Sequence, residues 1–195
     1  MTAARILLAV TLPLYVLDQV TKWWVVINFP EPQVGRTASD KLIPVIDGYF
    51  NLVRVHNQGV AFGFGNGTVW APIVFLCVST CALVALIWCW RKGYFAGAML
   101  HWAAALLVTG ICGNLTDRLV QGFFLEDVRT DGFLARLSRG YVVDFLDFTI
   151  PLVNYRWPSF NVADSCICVA AFLLIVSTFR AEQVSEPVAV EPKEP

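Results

Sequence analysis

Residues 69–90 run for 22 positions without one charged side chain. After only Arg91-Lys92-Gly93 a second run of 20 follows over residues 94–113, with His101 its one group able to charge near neutral pH. A helix crosses the hydrocarbon core of a bilayer with about 20 apolar residues at about 1.5 Å each. Both runs read as transmembrane helices, and the three-residue turn makes them an antiparallel pair. The rest of the chain agrees: 57% of its 195 residues are hydrophobic and 15% charged, where a soluble domain averages about 25% charged. A water-soluble particle of this size cannot bury so much apolar surface. The balance of 14 Lys+Arg against 15 Asp+Glu offers no basic face for nucleic acid.

Two further spans are expected over residues 6–27 and 162–179, the first carrying Asp18 and Lys22, the second Asp164. An even number of spans puts both termini on one side. Arg5, Arg91, Lys92 and Arg180 flank the spans there, which suits a cytoplasmic placement. The loops on the other side also carry arginines (Arg36, Arg54, Arg129, Arg136, Arg139, Arg156), so charge alone leaves the topology open. Residues 41–64 form a β-rich loop with a hairpin expected at Asp47-Gly48. The loop of about 40 residues between the last two spans is too long for a mere connection, and residues 133–137 in it show the spacing of a short interfacial helix. Residues 181–195, with three prolines and four glutamates, are expected to be a disordered tail. The six cysteines lie within apolar spans and read as small core or lipid-facing residues, not a disulfide framework or metal site. The expected fold is an all-α transmembrane core of four helices with a small β-rich subdomain, one domain over residues 1–180.

Ionisable residues at membrane depth are costly unless paired or functional. Asp18 and Lys22, four apart, share a helix face and are able to pair. Asn114, Asp117 and Arg118 form one polar face if the third helix continues past residue 113. Asn161 and Asp164 have the spacing of a helix cap, which alone would account for them. Asp144 stands in the apolar run Val142-Val143-Asp144-Phe145, where an isolated carboxylate is expensive. Under a four-span topology all these groups gather at the membrane face of the two long loops. With two histidines, no GxSxG and no HExxH, serine–histidine and zinc hydrolase readings have little to stand on. Carboxylates remain, and two held close share a proton, one activating water while the other donates. A proton or small-solute path through the spans, or a non-catalytic binding protein, are the competing readings.

Five ordered motifs sharpen this. Asp18-Gln19-Val20-Thr21-Lys22, Asn57-Gln58-Gly59-Val60-Ala61-Phe62, Gly113-Asn114-Leu115-Thr116-Asp117-Arg118, Val142-Val143-Asp144-Phe145 and Phe160-Asn161-Val162-Ala163-Asp164 span most of residues 6–179. In this order the chain resembles the lipoprotein signal peptidase (signal peptidase II) family of bacterial membrane aspartic proteases. The resemblance implies removal of signal peptides from diacylglyceryl-modified prolipoproteins, cut before the lipidated cysteine, with no metal and no cofactor. It implies a multi-pass protein of the bacterial cytoplasmic (inner) membrane, termini cytoplasmic and active site near the outer leaflet, in contact with membrane lipid. A monomer is expected. The catalytic pair carries over to Asp144 and Asp164. Asn57, Gly59, Asn114, Asp117, Arg118 and Asn161 match positions that support the pair or hold substrate, and Asp18 and Lys22 match structural positions. Asp147 is a competing carboxylate. One departure stands out: Arg118 and Asp144 are 26 apart, where the family has a short stretch. Residues 123–140 thus read as an insertion, either a tolerated surface loop or an interfacial lid.

Overall fold

A computed structural model describes residues 3–33, 36–59, 65–68 and 70–185. In chain order the elements are α1 (Ala3–Asn28), β1 (Ile43–Ile46), β2 (Phe50–Asn57), α2 (Ala71–Arg91), α3 (Ala98–Val120), α4 (Phe133–Leu137), β3 (Val142–Ile150), β4 (Tyr155–Arg156) and α5 (Val162–Ser185). Among the described residues four helices are long and apolar enough to cross a membrane: Ala4–Asn28, Ala71–Arg91, Ala98–Phe124 and Val162–Arg180. The four-helix core with a small sheet is therefore present, with corrected ends. The third span starts at Ala98 because Gly97, at φ 92°, breaks the chain before it. It runs on past residue 113 through Val120 and closes in a 3-10 turn over Gln121–Phe124. The last helix reaches Ser185, so residues 181–185 are helical and not tail. Residues 186–195 lie outside the described residues.

Helix α3 is central, packed on α1, α2 and α5. Two glycines allow this. A Cβ on Gly110 would lie 2.5 Å from the Ala163 carbonyl oxygen, and one on Gly113 would lie 2.5 Å from Asp18 Oδ2. Small residues at such crossings let helix backbones approach in a bilayer.

The sheet is antiparallel in the order β1-β2-β3-β4. The expected hairpin turns at Asp47-Gly48, Gly48 taking φ 76°. The sheet extends beyond the expected loop, because the Val142-Val143-Asp144-Phe145 run is its strand β3; residues 60–64 of that loop lie outside the described residues. A bulge between Leu52 and Val55 turns Val53 and Arg54 inward together. Arg54 Nη1 then donates to the carbonyls of Val26 (3.1 Å) and Phe29 (2.9 Å), closing the end of α1.

The 123–140 segment is not a loose appendage. Its Leu125 and Val128 are buried with Val25, Phe29, Tyr141, Val143 and Phe145 beneath the sheet, and the expected short helix forms as α4. Its return passes so near α3 that a Cβ on Gly140 would lie 2.1 Å from the Arg118 carbonyl oxygen. Backbone cannot give way as a side chain does. Gly140→Ala is therefore expected to cost about 1–3 kcal/mol, a fall of roughly 2–10 °C in the unfolding midpoint in detergent. Gly132→Ala, whose Cβ meets nothing within 4 Å, is the matched control; equal midpoints for the two variants would refute the close approach.

Candidate active site

The site is built where α5 begins. Asn161 Oδ1 accepts the Asp164 backbone N–H at 2.9 Å, and Asp164 Oδ2 accepts the Asn161 backbone N–H at 3.1 Å. This reciprocal pair is a capping box, as the spacing foretold. Capping does not exhaust it. The Asn161 amide Nδ2 donates to Asp144 Oδ1 at 2.7 Å, so one asparagine touches both aspartates. The free oxygen of Asp164, Oδ1, accepts from Asn114 Nδ2 at 2.7 Å.

Asp144 is 2% exposed. Asn57 pairs with Val142 across β2 and β3, two residues from Asp144 and on the same face. From there Asn57 Nδ2 donates to Asp144 Oδ2 at 2.9 Å. Burial first, then the charge of Asp164, push the Asp144 carboxyl well above the usual carboxylate range, against the hydrogen bonds from Asn57 and Asn161.

A second layer holds the first. Lys22 Nζ lies 2.9 Å from Asp18 Oδ2, 3.1 Å from Asp117 Oδ2 and 3.0 Å from Asn114 Oδ1. Lys22, Asp18 and Asp117 are all buried, so the expected Asp18–Lys22 pair is one edge of a closed cluster. Asp18 Oδ1 also accepts the Ala163 backbone N–H (2.9 Å) and Asp117 Oδ2 that of Val143 (3.0 Å). The cluster thereby ties α1 and α3 to the segments that carry Asp164 and Asp144. Gln19, which sequence reasoning quoted but gave no role, donates to Asp18, Asp117 and the Gly113 carbonyl; its place beside Asp18 in the motif was the available signal.

Arg118 turns away from Asp117. Its Nη2 donates to the Gly59 carbonyl at 2.7 Å and Nη1 to that of Gln58 at 3.3 Å. Asn66, absent from the sequence reading, accepts the Gln58 and Gly59 N–H groups at 2.8 and 2.9 Å. The Gly59 N–H also reaches Asn57 Oδ1 at 3.0 Å, which leaves the Asn57 Nδ2 facing Asp144. Residues 60–62 of that motif lie outside the described residues.

The competing groups are engaged elsewhere. Asp147 accepts from Arg156 Nε and Nη2 at 2.7 and 3.0 Å and from Asn51 at 3.2 Å. His56 accepts from Arg54 at 3.0 Å and stacks on Tyr141 at 3.7 Å. Burial and the Arg54 charge push it down to about 2, so it is neutral.

The sequence matches the family model for signal peptidase (SPase) II over residues 10–180. It is 38% identical to the lipoprotein signal peptidase of Geobacter sulfurreducens over 184 residues, 94% of this chain and 97% of that one. With the lipoprotein signal peptidase of Pseudoalteromonas atlantica the identity is 34% over 169 residues, 85% of this chain and 84% of the relative. In fold the chain is similar to a bacterial membrane enzyme solved by the in meso method at 2.3 Å, with TM-score 0.71, 23% identity and coverage of 95% and 94%.

Proposed function

The chain belongs to the signal peptidase II family of bacterial lipoprotein signal peptidases, and we propose that Asp144 and Asp164 are its catalytic pair. The enzyme is a membrane aspartic peptidase that cleaves signal peptides from prolipoproteins. The observation that carries the assignment of the pair is Asn161, which donates to both carboxyls, through its side-chain amide to Asp144 and through its backbone N–H to Asp164.

Asp164 holds the charge: it sits in the first turn of α5, where the positive end of the helix dipole and two N–H donors favour an anion. Asp144, in its dry apolar strand, holds the shared proton. Asp164 takes a proton from water as the water oxygen attacks the scissile carbonyl carbon. Asp144 gives its proton to the carbonyl oxygen. When the tetrahedral intermediate collapses, Asp164 passes its proton to the leaving nitrogen, the C–N bond breaks, and Asp144 regains the proton from the new carboxyl. Asn57, Gly59, Asn114, Asp117, Arg118 and Asn161 position the pair or the substrate backbone.

The substrate is a prolipoprotein already carrying a diacylglyceryl group, cut before the lipidated cysteine. Its acyl chains stay in the bilayer while the peptide reaches the pair. The C-terminal ends of α1 and α3 and the N-terminal end of α5 share one side with the sheet. The start of α1, the end of α5 and the Arg91-Lys92 turn lie on the other, which supports cytoplasmic termini and a pair near the outer leaflet of the inner membrane.

The test compares a diacylglyceryl-modified precursor with the same precursor unmodified, using wild type and the Asp144→Asn/Asp164→Asn double variant. Wild type is expected to cut only the lipidated form; the double variant should bind it without cleavage. Cleavage by the double variant would move the chemistry to another carboxylate, and equal cutting of both precursors would remove the lipid from recognition.

A further inference from the structure

We propose that α4 is an interfacial anchor, which places Phe133 and Leu134 in the bilayer leaflet on the sheet side of the molecule. Both side chains are strongly exposed, Phe133 at 66% and Leu134 at 75%. They do not sit on a loose loop. Leu125 and Val128 are sunk in the core before α4. After it, Arg139 pairs with Asp127 at 2.6 Å and Gly140 rests against the backbone of α3. A rigid element presenting two large apolar groups to water would be unfavourable.

What covers them follows from their level. Phe124 is the last residue of the span Ala98–Phe124. It packs edge-on against Trp23 of α1, ring centroids 4.9 Å apart. Its neighbour Phe123 packs against Phe133 at 5.3 Å. The chain of rings therefore runs from the ends of two spans straight onto α4. Aromatic side chains at such ends form the belt that marks the membrane–water boundary. Ile27, one helical turn beyond Trp23 near the end of α1, is 77% exposed.

The polar groups of the segment fit that orientation. The Arg136 guanidinium lies over the Phe123 ring at 4.8 Å and donates to the Phe123 carbonyl, while Arg139 and Asp127 neutralise each other. With Glu126, Arg129 and Asp131 the segment carries three acidic and three basic residues, so no net charge demands an anionic partner. The occupant is the acyl and glycerol region of the leaflet, continuous with the lipid that bathes the spans, and α4 is a fixed fifth contact with the membrane.

The full chain in phosphatidylglycerol vesicles tests this with the photoreactive residue p-benzoylphenylalanine. It is placed in separate preparations by Leu134→p-benzoylphenylalanine, by Ile27→p-benzoylphenylalanine on the lipid-facing end of α1, and by Asp40→p-benzoylphenylalanine on an exposed polar loop. Irradiation followed by intact-mass measurement counts lipid adducts. Position 134 is expected to give lipid adducts within about twofold of position 27 and at least about fivefold above position 40. Adducts at 134 as sparse as at 40, with 27 labelled, would overturn the proposal. So would a chain-to-chain crosslink as the main product at 134, which would make α4 a contact between copies.

Discussion

Asp144→Asn and Asp164→Asn are each expected to abolish cleavage while leaving the protein folded, with kcat falling by on the order of 10⁴-fold or more. The loss is nearly equal for the two because each proton transfer needs both groups. Asparagine at 144 imitates the protonated carboxyl in shape but has no proton to give; asparagine at 164 cannot take one from water. The fold survives because an asparagine oxygen still accepts one of the two N–H donors that each carboxylate holds, from Asn57 or Asn161 at 144, and from Asn114 or the Asn161 backbone at 164. One donor loses its partner; at 164 this is offset by removal of a buried charge, and at 144 the asparagine replaces a carboxyl that already holds the shared proton and is neutral. The unfolding midpoint should move by no more than about 4 °C.

The same pair dictates a pH profile. Cleavage needs one proton on the two carboxyls, so kcat/KM should be bell-shaped, falling at low pH when the pair is fully protonated and at high pH when the shared proton leaves. Burial, reinforced by the Asp164 charge, holds Asp144 well above the ordinary range. The alkaline limb should therefore lie well above the pH of about 4 at which a free aspartate titrates. Full activity in a single variant, or an alkaline limb near pH 4, would break the assignment of the pair.

The parts legible in the sequence were those specified locally. Uninterrupted apolar runs marked α2 and most of the other spans, Asp47-Gly48 marked the hairpin, and the three-residue spacing of Asn161 and Asp164 marked the cap. The end of α3 was not legible. Asn114, Asp117 and Arg118 lower the hydropathy there, and only the burial of that polar face against Lys22, 92 positions from Asn114, shows why the helix continues. Strand β3 was hidden too, because the Asp144 run reads as an apolar motif whose partner strand is set by a bulge far away in β2. The motif resemblance named the residues; their hydrogen-bond directions depended on contacts between elements that no local spacing encodes.

Lys22→Met is expected to destabilise the fold by about 3–5 kcal/mol, because it leaves Asp18 and Asp117 buried with no cation between them. Methionine matches the length of the stem and fills the space, so the loss is one of charge and not of packing. The triple variant Lys22→Met/Asp18→Asn/Asp117→Asn removes the whole cluster's charge. Its new side-chain oxygens still accept the Ala163 and Val143 N–H groups, so most of the lost stability should return, read as recovery of the unfolding midpoint in detergent. Cleavage should not return with it. Lys22 is the donor that pins Asn114 Oδ1 and so aims Asn114 Nδ2 at Asp164. Without that donor only the longer hydrogen bond from Asn161 Nδ2, at 3.2 Å, still holds the Asn114 oxygen, and the amide aims less firmly at the carboxylate. Losing one hydrogen bond to a charged group is worth about 1.5–3 kcal/mol, which predicts a rate about 10- to 100-fold below wild type in the refolded triple variant. Wild-type stability in Lys22→Met would refute the buried cluster. Recovery of both stability and rate in the triple variant would instead confine Lys22 to neutralising its neighbours and remove Asn114 orientation from its role.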